Sequence, residues 1–409
     1  MIATSTASGR IVTVVVSNRD GEVLGQLDPF EVETPWWQET EPVQRRFPEL
    51  AVLRLIAAEP SPGAHDRGGT VTYLAELRGT GAPRRLELRP CDVTVDDHPL
   101  RMPWACPGSP DDDLEWASGF VRPTGPPIQH RTWNLSALWS FPTSAGRVWL
   151  KCVPPFFAHE AAVLRLLAAA REDGRAGPAG ATPKVMAAAG HRILLAGMPG
   201  RDGFHAPLGE SKRLVDLLVG LQAATADRQG ELRSAGVPDA RWPALLDELE
   251  ALVARRAPEN RHLRALLEEG TARAAAIDDC GLPEALVHGD AHPGNARVGT
   301  EPPVWFDWGD SRIGNPLLDL AVLERAPAGE RAALERHWLA AWRRARPGSE
   351  PERAWRLLRP LAVLRTAAVY QGFLDHIEPS ERVYHEGDVA PALARASRLA
   401  AGSAGKMQP

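Results

Sequence analysis

Residues 286–298, LVHGDAHPGNARV, set two histidines, an aspartate and an asparagine around two glycines and a proline, directly after an apolar pair. Gly289 and the Pro293-Gly294 pair force a tight loop rather than a helix. An aspartate held on such a loop, Asp290, can take a proton from a substrate hydroxyl. Asn295 offers a neutral amide oxygen to a hard cation such as Mg²⁺. A second stretch, WFDWGDSRIGNPLLDLA at 305–321, ends an apolar strand at Asp307 before Trp308-Gly309, where glycine lets the backbone turn the carboxylate toward the same cavity. Two oxygen ligands on separate loops suit Mg²⁺, which takes few protein ligands and completes its shell with water and phosphate oxygens. Asp310 reads as a loop acid rather than a second metal ligand.

A lysine stands out for a different reason. The chain holds 43 arginines and four lysines (Lys151, Lys184, Lys212 and Lys406), and Lys151 ends the strand-like RVWLK. A compact ammonium reaches a single phosphate oxygen where a guanidinium presents a wide planar fork. In the helical stretch after it, Glu160 shares a stripe with Val163, Leu164 and Leu167, and a half-buried carboxylate needs a cationic partner. Lys151 is the candidate partner, and the pair would hold the lysine toward a nucleotide.

HGDAHPGN followed by FDWGDSRIGNPLLDLA resembles the aminoglycoside phosphotransferase and choline kinase-like families, relatives of protein kinases, over about residues 128–400. The resemblance implies an α+β, protein-kinase-like bilobal fold: a small antiparallel-sheet lobe with one helix, then a larger, mainly helical lobe. It further implies ATP and Mg²⁺ as cofactors, Asp290 as catalytic base, and Asn295 and Asp307 as metal ligands. Lys151 would hold the α- and β-phosphates with Glu160 as its partner, and the backbone of Ala196 and Met198 would bind adenine. His288 would brace the loop, and Asp319 would cap or anchor the segment after it. The protein-kinase glycine loop is missing, since RTWNLSALW has no glycine; the backbone amides of residues 134–136 could face phosphate instead. The C-terminal helices would build the acceptor pocket; Trp338 and Trp342, one turn apart, are candidate lining and the acids Asp375, Glu378, Glu381, Glu386 and Asp388 could together receive a cationic amino sugar, although taken singly each tryptophan reads better as core and each acid as a solvated face.

Two rival readings use the same residues. His288, Asp290 and His292 spell HxDxH, a spacing found in metal-dependent phosphoesterases, but that reading leaves Lys151, Glu160 and Asn295 without work. A nucleotide-binding regulator without transfer activity is the other.

Composition and punctuation indicate the elements that must position these residues. The 409-residue chain is 44% hydrophobic, long enough for two domains or one enlarged domain. Its net charge of −5, spread along the chain, gives no basic footprint for nucleic acid, and small polar or cationic ligands are the easier partners. No run of apolar residues is long enough to span a membrane. The four scattered cysteines and the lack of a signal segment place the protein in the cytoplasm without disulfides. The expected organisation is an N-terminal α/β accessory domain at 1–105, a Pro/Gly/Asp-rich linker at 106–127, a kinase-like sheet lobe at 128–199 and a helical lobe at 200–409. The first domain is β-rich, with a hairpin turning at Asp20-Gly21 and a helix at 48–58, an order that faintly resembles a Nudix fold without its metal-binding glutamates. Trp36-Trp37 suggests a packing surface, and oligomeric state is open.

Overall fold

The structure, a computed structural model, describes residues 9–79, 86–172, 180–324 and 326–403; Lys406 lies outside them. It is an α+β protein that divides into two compact units. The first comprises Met1–Pro155, Met186–Gly197 and Gly372–Gly387, so the division falls after Pro155 and a late segment returns to the early part of the chain.

Within the first unit, five strands form one sheet: β1 (Arg10–Ser17), β2 (Val23–Gln26), β3 (Phe30–Val32), β4 (Leu50–Glu59) and β5 (Thr70–Leu77). The order is β2-β1-β5-β4 with β3 also on β1, and β1 and β5 run parallel. The expected helix at 48–58 is therefore strand β4, after a short helix α1 (Glu41–Arg46). Its first six residues are all buried, and an apolar run covered on both faces carries no period that separates strand from helix. The likeness to a Nudix fold needs that helix and finds no support. Residues 106–127, expected as a linker, contain helix α2 (Ser109–Ser118). Asp113 on α2, 1% exposed, accepts hydrogen bonds from Arg192 Nε at 2.6 Å and Cys152 Sγ at 3.3 Å, and its Oδ1 lies 3.0 Å from His191 Nε2.

A second sheet follows, all but Val185 in the same unit: β6 (Ile128–Trp133), β7 (Ser136–Thr143), β8 (Gly146–Cys152), β9 (Val185–Ala189) and β10 (Arg192–Ala196), in the order β6-β7-β8-β10-β9, antiparallel from β6 through β10. Gln129 on β6 joins it to the first sheet: its Oε1 accepts from Val52 N and its Nε2 donates to Val52 O, at 2.9 and 2.7 Å. These bonds engage both main-chain groups of Val52, which lies beside a register shift on β4, the strand at the end of this sheet's order.

The returning segment 372–387 completes the first unit's interior. Its 3₁₀ turn, Pro379–Tyr384, puts Tyr384 edge-on to Trp37 and Trp133 in the core of the first sheet. Trp37 is thus fully buried, and the expected surface pair reduces to Trp36, whose ring lies under the Arg67 guanidinium. Glu378 pairs with Arg54 and Arg101 at 3.4 and 3.2 Å, and Glu381 Oε1 accepts from Leu55 N at 3.3 Å. These two acids read as candidates for a cationic acceptor or as a solvated face; at 5% and 3% exposed and committed to the first unit, they are neither.

Burial, then the neighbouring Glu378, pushes Glu381 up to about 8. A raised acid favours the folded state fully only below its unfolded value, and that contribution fades as pH rises through about 8. Glu381→Gln keeps an acceptor for Leu55 N without the charge. Denaturant unfolding at pH 5 and 8.5 should show the variant gaining on the wild type by more than about 1 kcal/mol at the higher pH; equal differences at both pH values would contradict this.

The second unit, Phe156–Val185, Met198–Gln371 and Asp388–Pro409, is mainly helical. It holds α3 (Glu160–Glu172), α4 (Leu208–Ala223), α5 (Gln229–Ser234), α6 (Ala244–Arg256), α7 (Arg261–Glu268), α8 (Gly270–Asp278), α9 (Ala321–Glu324), α10 (Arg331–Ala345) and α12 (Val389–Ser403). It also holds most of α11 (Pro351–His376). Two small sheets complete it: β11 (Arg201–Asp202), β14 (Ala296–Val298) and β15 (Val304–Trp305), and β12 (Asp239–Ala240), β16 (Arg312–Gly314) and β13 (Ala285–Val287). Trp338 and Trp342 on α10 are 0% exposed, so of the two readings open to them they are core rather than pocket lining. No described helix is long and apolar enough to cross a membrane.

Candidate active site

The loop 288–295 leaves β13 and enters β14, and its shape is set by contacts that the local sequence supplies. Gly289 has φ +90°, and a Cβ there would stand 2.2 Å from the Asp310 carbonyl oxygen, so only glycine lets the two loops approach. Asp319, fully buried, accepts hydrogen bonds from His288 N at 2.8 Å, Gly289 N at 2.7 Å and Gln222 Nε2 at 2.7 Å. It therefore anchors the loop that precedes it in sequence. Burial outweighs the two backbone donors and raises its carboxyl to about 6.

His288 is 0% exposed, its Nε2 lies 3.1 Å from the Phe306 carbonyl, and its ring lies against Trp308 at 4.4 Å between centroids. Burial pushes it down to about 4, so it is neutral and donates from Nε2. With that nitrogen engaged it cannot ligate metal from Nε2, and His292 Nδ1 accepts from Gly294 N at 3.0 Å. The HxDxH residues do not converge as a metal-ligand cluster among the described residues.

Asp290 carries a carboxylate whose side chain is 47% exposed. Asn295 Nδ2 donates to its Oδ2 at 2.9 Å and to its main-chain oxygen at 3.0 Å, which leaves Asn295 Oδ1 as the amide's other polar atom. Asp307 has φ +65°, the one positive φ among described non-glycine residues, and aspartate tolerates that conformation better than a branched side chain. Glu160 at the start of α3, 1% exposed, accepts from Trp308 N at 3.2 Å, one residue beyond Asp307. Asp310 feels both carboxylates: burial first, then Asp290 and Asp307, push it up to about 8. Asp290, Asn295, Asp307 and Glu160 thus belong to one unit, as does Met198.

Lys151 and Ala196 lie in the first unit. Lys151, 8% exposed, stands on β8 opposite Leu138 on β7 and Ile193 on β10, and Ala196 ends β10 opposite Val148. Asn134 is fully buried and its side chain serves the fold, donating to Glu381 O at 3.2 Å and lying 3.1 Å from His385 Nε2.

Residues 143–348, half of the chain, match the model of the phosphotransferase enzyme family, APH. The chain belongs to this family. As a member it is a small-molecule phosphotransferase, and the matched span holds Lys151, Glu160, Ala196, Met198, Asp290, Asn295 and Asp307. No curated protein matches the sequence of this phosphotransferase. Among solved structures it is similar to a macrolide 2'-phosphotransferase from Brachybacterium faecium, at 19% identity and TM-score 0.46, covering 67% of this chain and 97% of the other. It is also similar to a choline/ethanolamine kinase family protein from Mesorhizobium loti, at 18% identity and TM-score 0.48, covering 72% and 98%. A choline kinase from Streptococcus pneumoniae matches at 12% identity and TM-score 0.49, covering 71% and 99%.

What the residue pattern of this phosphotransferase did not single out is Arg365, 4% exposed on α11 and within electrostatic reach of Asp310 and Asp319. A lone arginine in an arginine-rich helix carries no signal until its surroundings are known.

Proposed function

We propose that this phosphotransferase transfers the γ-phosphate of ATP to a hydroxyl of a small polar molecule. The observation that carries the reading is the geometry of Asp290: a half-exposed carboxylate, oriented by Asn295, on a loop held through His288 and Gly289 to buried Asp319. As the acceptor oxygen bonds to phosphorus and the bond to ADP breaks, the hydroxyl proton passes to the Asp290 carboxylate. Lys151 would hold the α- and β-phosphates with Glu160 as its partner, and the main chain at Ala196 and Met198 would hold adenine.

Asn295 Oδ1 and Asp307 fit a Mg²⁺ ion, since both offer hard oxygen donors. Burial raises Asp310 most, and the charges of Asp290 and Asp307 add to it; a divalent cation would offset that second contribution. Bound there, Mg²⁺ would neutralise charge on the phosphate oxygens. The cytoplasm, where ATP and thiols are maintained, is the compartment that suits this activity.

Incubation with Mg·ATP and a panel of aminoglycosides, amino sugars, sugars, sugar acids and amino alcohols tests the reading by mass spectrometry. An acceptor gaining roughly 80 mass units, one phosphoryl group, is the expected result. No product and no thermal stabilisation by Mg·ATP would overturn it, while stabilisation without any product would favour a nucleotide-binding regulator.

A further inference from the structure

The second unit contains a buried charge that no described residue pairs with. Buried arginines elsewhere place their terminal nitrogens on acceptors: Arg10 on the Thr34 and Glu39 carbonyls, Arg54 on Glu378, and Arg273 on Glu269 and the Leu357 carbonyl. Arg365, 4% exposed, has no described hydrogen-bond or ion-pair partner, and its Nε and Nη2 are both buried without one. Leaving a guanidinium desolvated and unpaired is strongly unfavourable unless an anion arrives to meet it.

A second guanidinium lies near it. Arg312 on β16 is the register partner of Val287, the residue that leads into His288-Gly289-Asp290, and its side chain also lacks a described ion pair. The two cations are within electrostatic reach of each other and oppose each other. The acids facing Arg365 are Glu248 on α6, Asp310 and Asp319. None of them pairs with it, and Asp319 is already engaged by three N–H donors. Two guanidiniums beside a loop that carries a general base match a planar oxyanion held by paired N–H donors.

We propose that Arg365 and Arg312 form an oxyanion subsite for the acceptor, so that the enzyme phosphorylates a hydroxyl on a small molecule that also carries a carboxylate or a phosphate. The inference rests on the phosphotransferase reading and reverses the cationic acceptor expected from the acids at 375–388, of which Glu378 and Glu381 are buried in the first unit.

The test measures binding separately from turnover. Thermal shifts of the full chain are titrated with inorganic phosphate and with succinate, against chloride at matched ionic strength and without nucleotide. Saturable stabilisation of the wild type is expected, with the stronger of the two anions distinguishing phosphate from carboxylate. Arg365→Met should raise the apparent Kd about tenfold and Arg365→Lys should recover part of the loss. A shift with Mg·ATP checks that each variant is folded; if Arg365→Met is not, Arg312→Gln carries the same comparison. Equal anion responses in wild type and variants would overturn the subsite. So would a variant that loses the Mg·ATP shift but keeps the anion response, since the arginines would then serve the nucleotide. Failure of the phosphotransferase reading shows instead as absence of any Mg·ATP shift and of any phosphorylated product.

Discussion

Asp290→Asn should lower kcat for phosphoryl transfer by about a thousandfold or more, with Mg·ATP affinity within about twofold of the wild type. The substitution is isosteric, and its amide oxygen can still accept from Asn295 Nδ2, which donates at 2.9 Å in the wild type. What is lost is the ability to take the hydroxyl proton. Rapid-quench measurement of product, with nucleotide affinity by calorimetry, separates the two effects, and an Asn variant turning over near the wild-type rate would remove the base assignment. A second readout is available in Asp310, which Asp290 and Asp307 help raise to about 8. With Asp290 uncharged, Asp310 should ionise at lower pH, a change that carbon-13 NMR of labelled aspartate would follow.

Gly289→Ala should be nearly as damaging without touching any reacting group. The position has φ +90°, where an alanine is strained by about 1–2 kcal/mol. The added methyl would sit 2.2 Å from the Asp310 carbonyl oxygen, a backbone atom that cannot swing aside. One of the two loops must move, and misplacing a catalytic group by about 1 Å lowers rates about a hundredfold. The expected result is kcat down by that factor, stability down by about 2–4 kcal/mol, and Mg·ATP affinity changed far less. A variant with wild-type kcat would show that the contact between residues 289 and 310 does not position Asp290.

The shape of the loop was legible in the sequence because it is local. Glycine and proline at 289, 293 and 294 bend the chain whatever surrounds it, and the Asp290–Asn295 hydrogen bond spans five positions. The α+β class came with the family resemblance that these loop motifs carry, and the second sheet of the first unit agrees with it. The family match spans those same motifs. Long-range pairing was what the sequence concealed. Residues 50–59 look like a helix or a strand until the covering of both faces is known. Glu378 and Glu381 look like solvent-facing acids until Arg54, Arg101 and Leu55, some three hundred positions earlier, are placed beside them. Arg365 is one of 43 arginines, and only its lack of a partner sets it apart.

The returning segment 372–387 also bears on how the chain is made. A ribosome releases the N-terminus first, yet Tyr384 and Glu381, which fill and tie the first sheet, emerge more than three hundred residues after β4. Until then that sheet has an open seam beside Trp37 and Leu55, so its last contacts form only after nearly all of the helical unit has been synthesised. Strands that come first in the message are thus among the last to be finished, and a chain terminated before residue 378 would lack the plug for its earliest part.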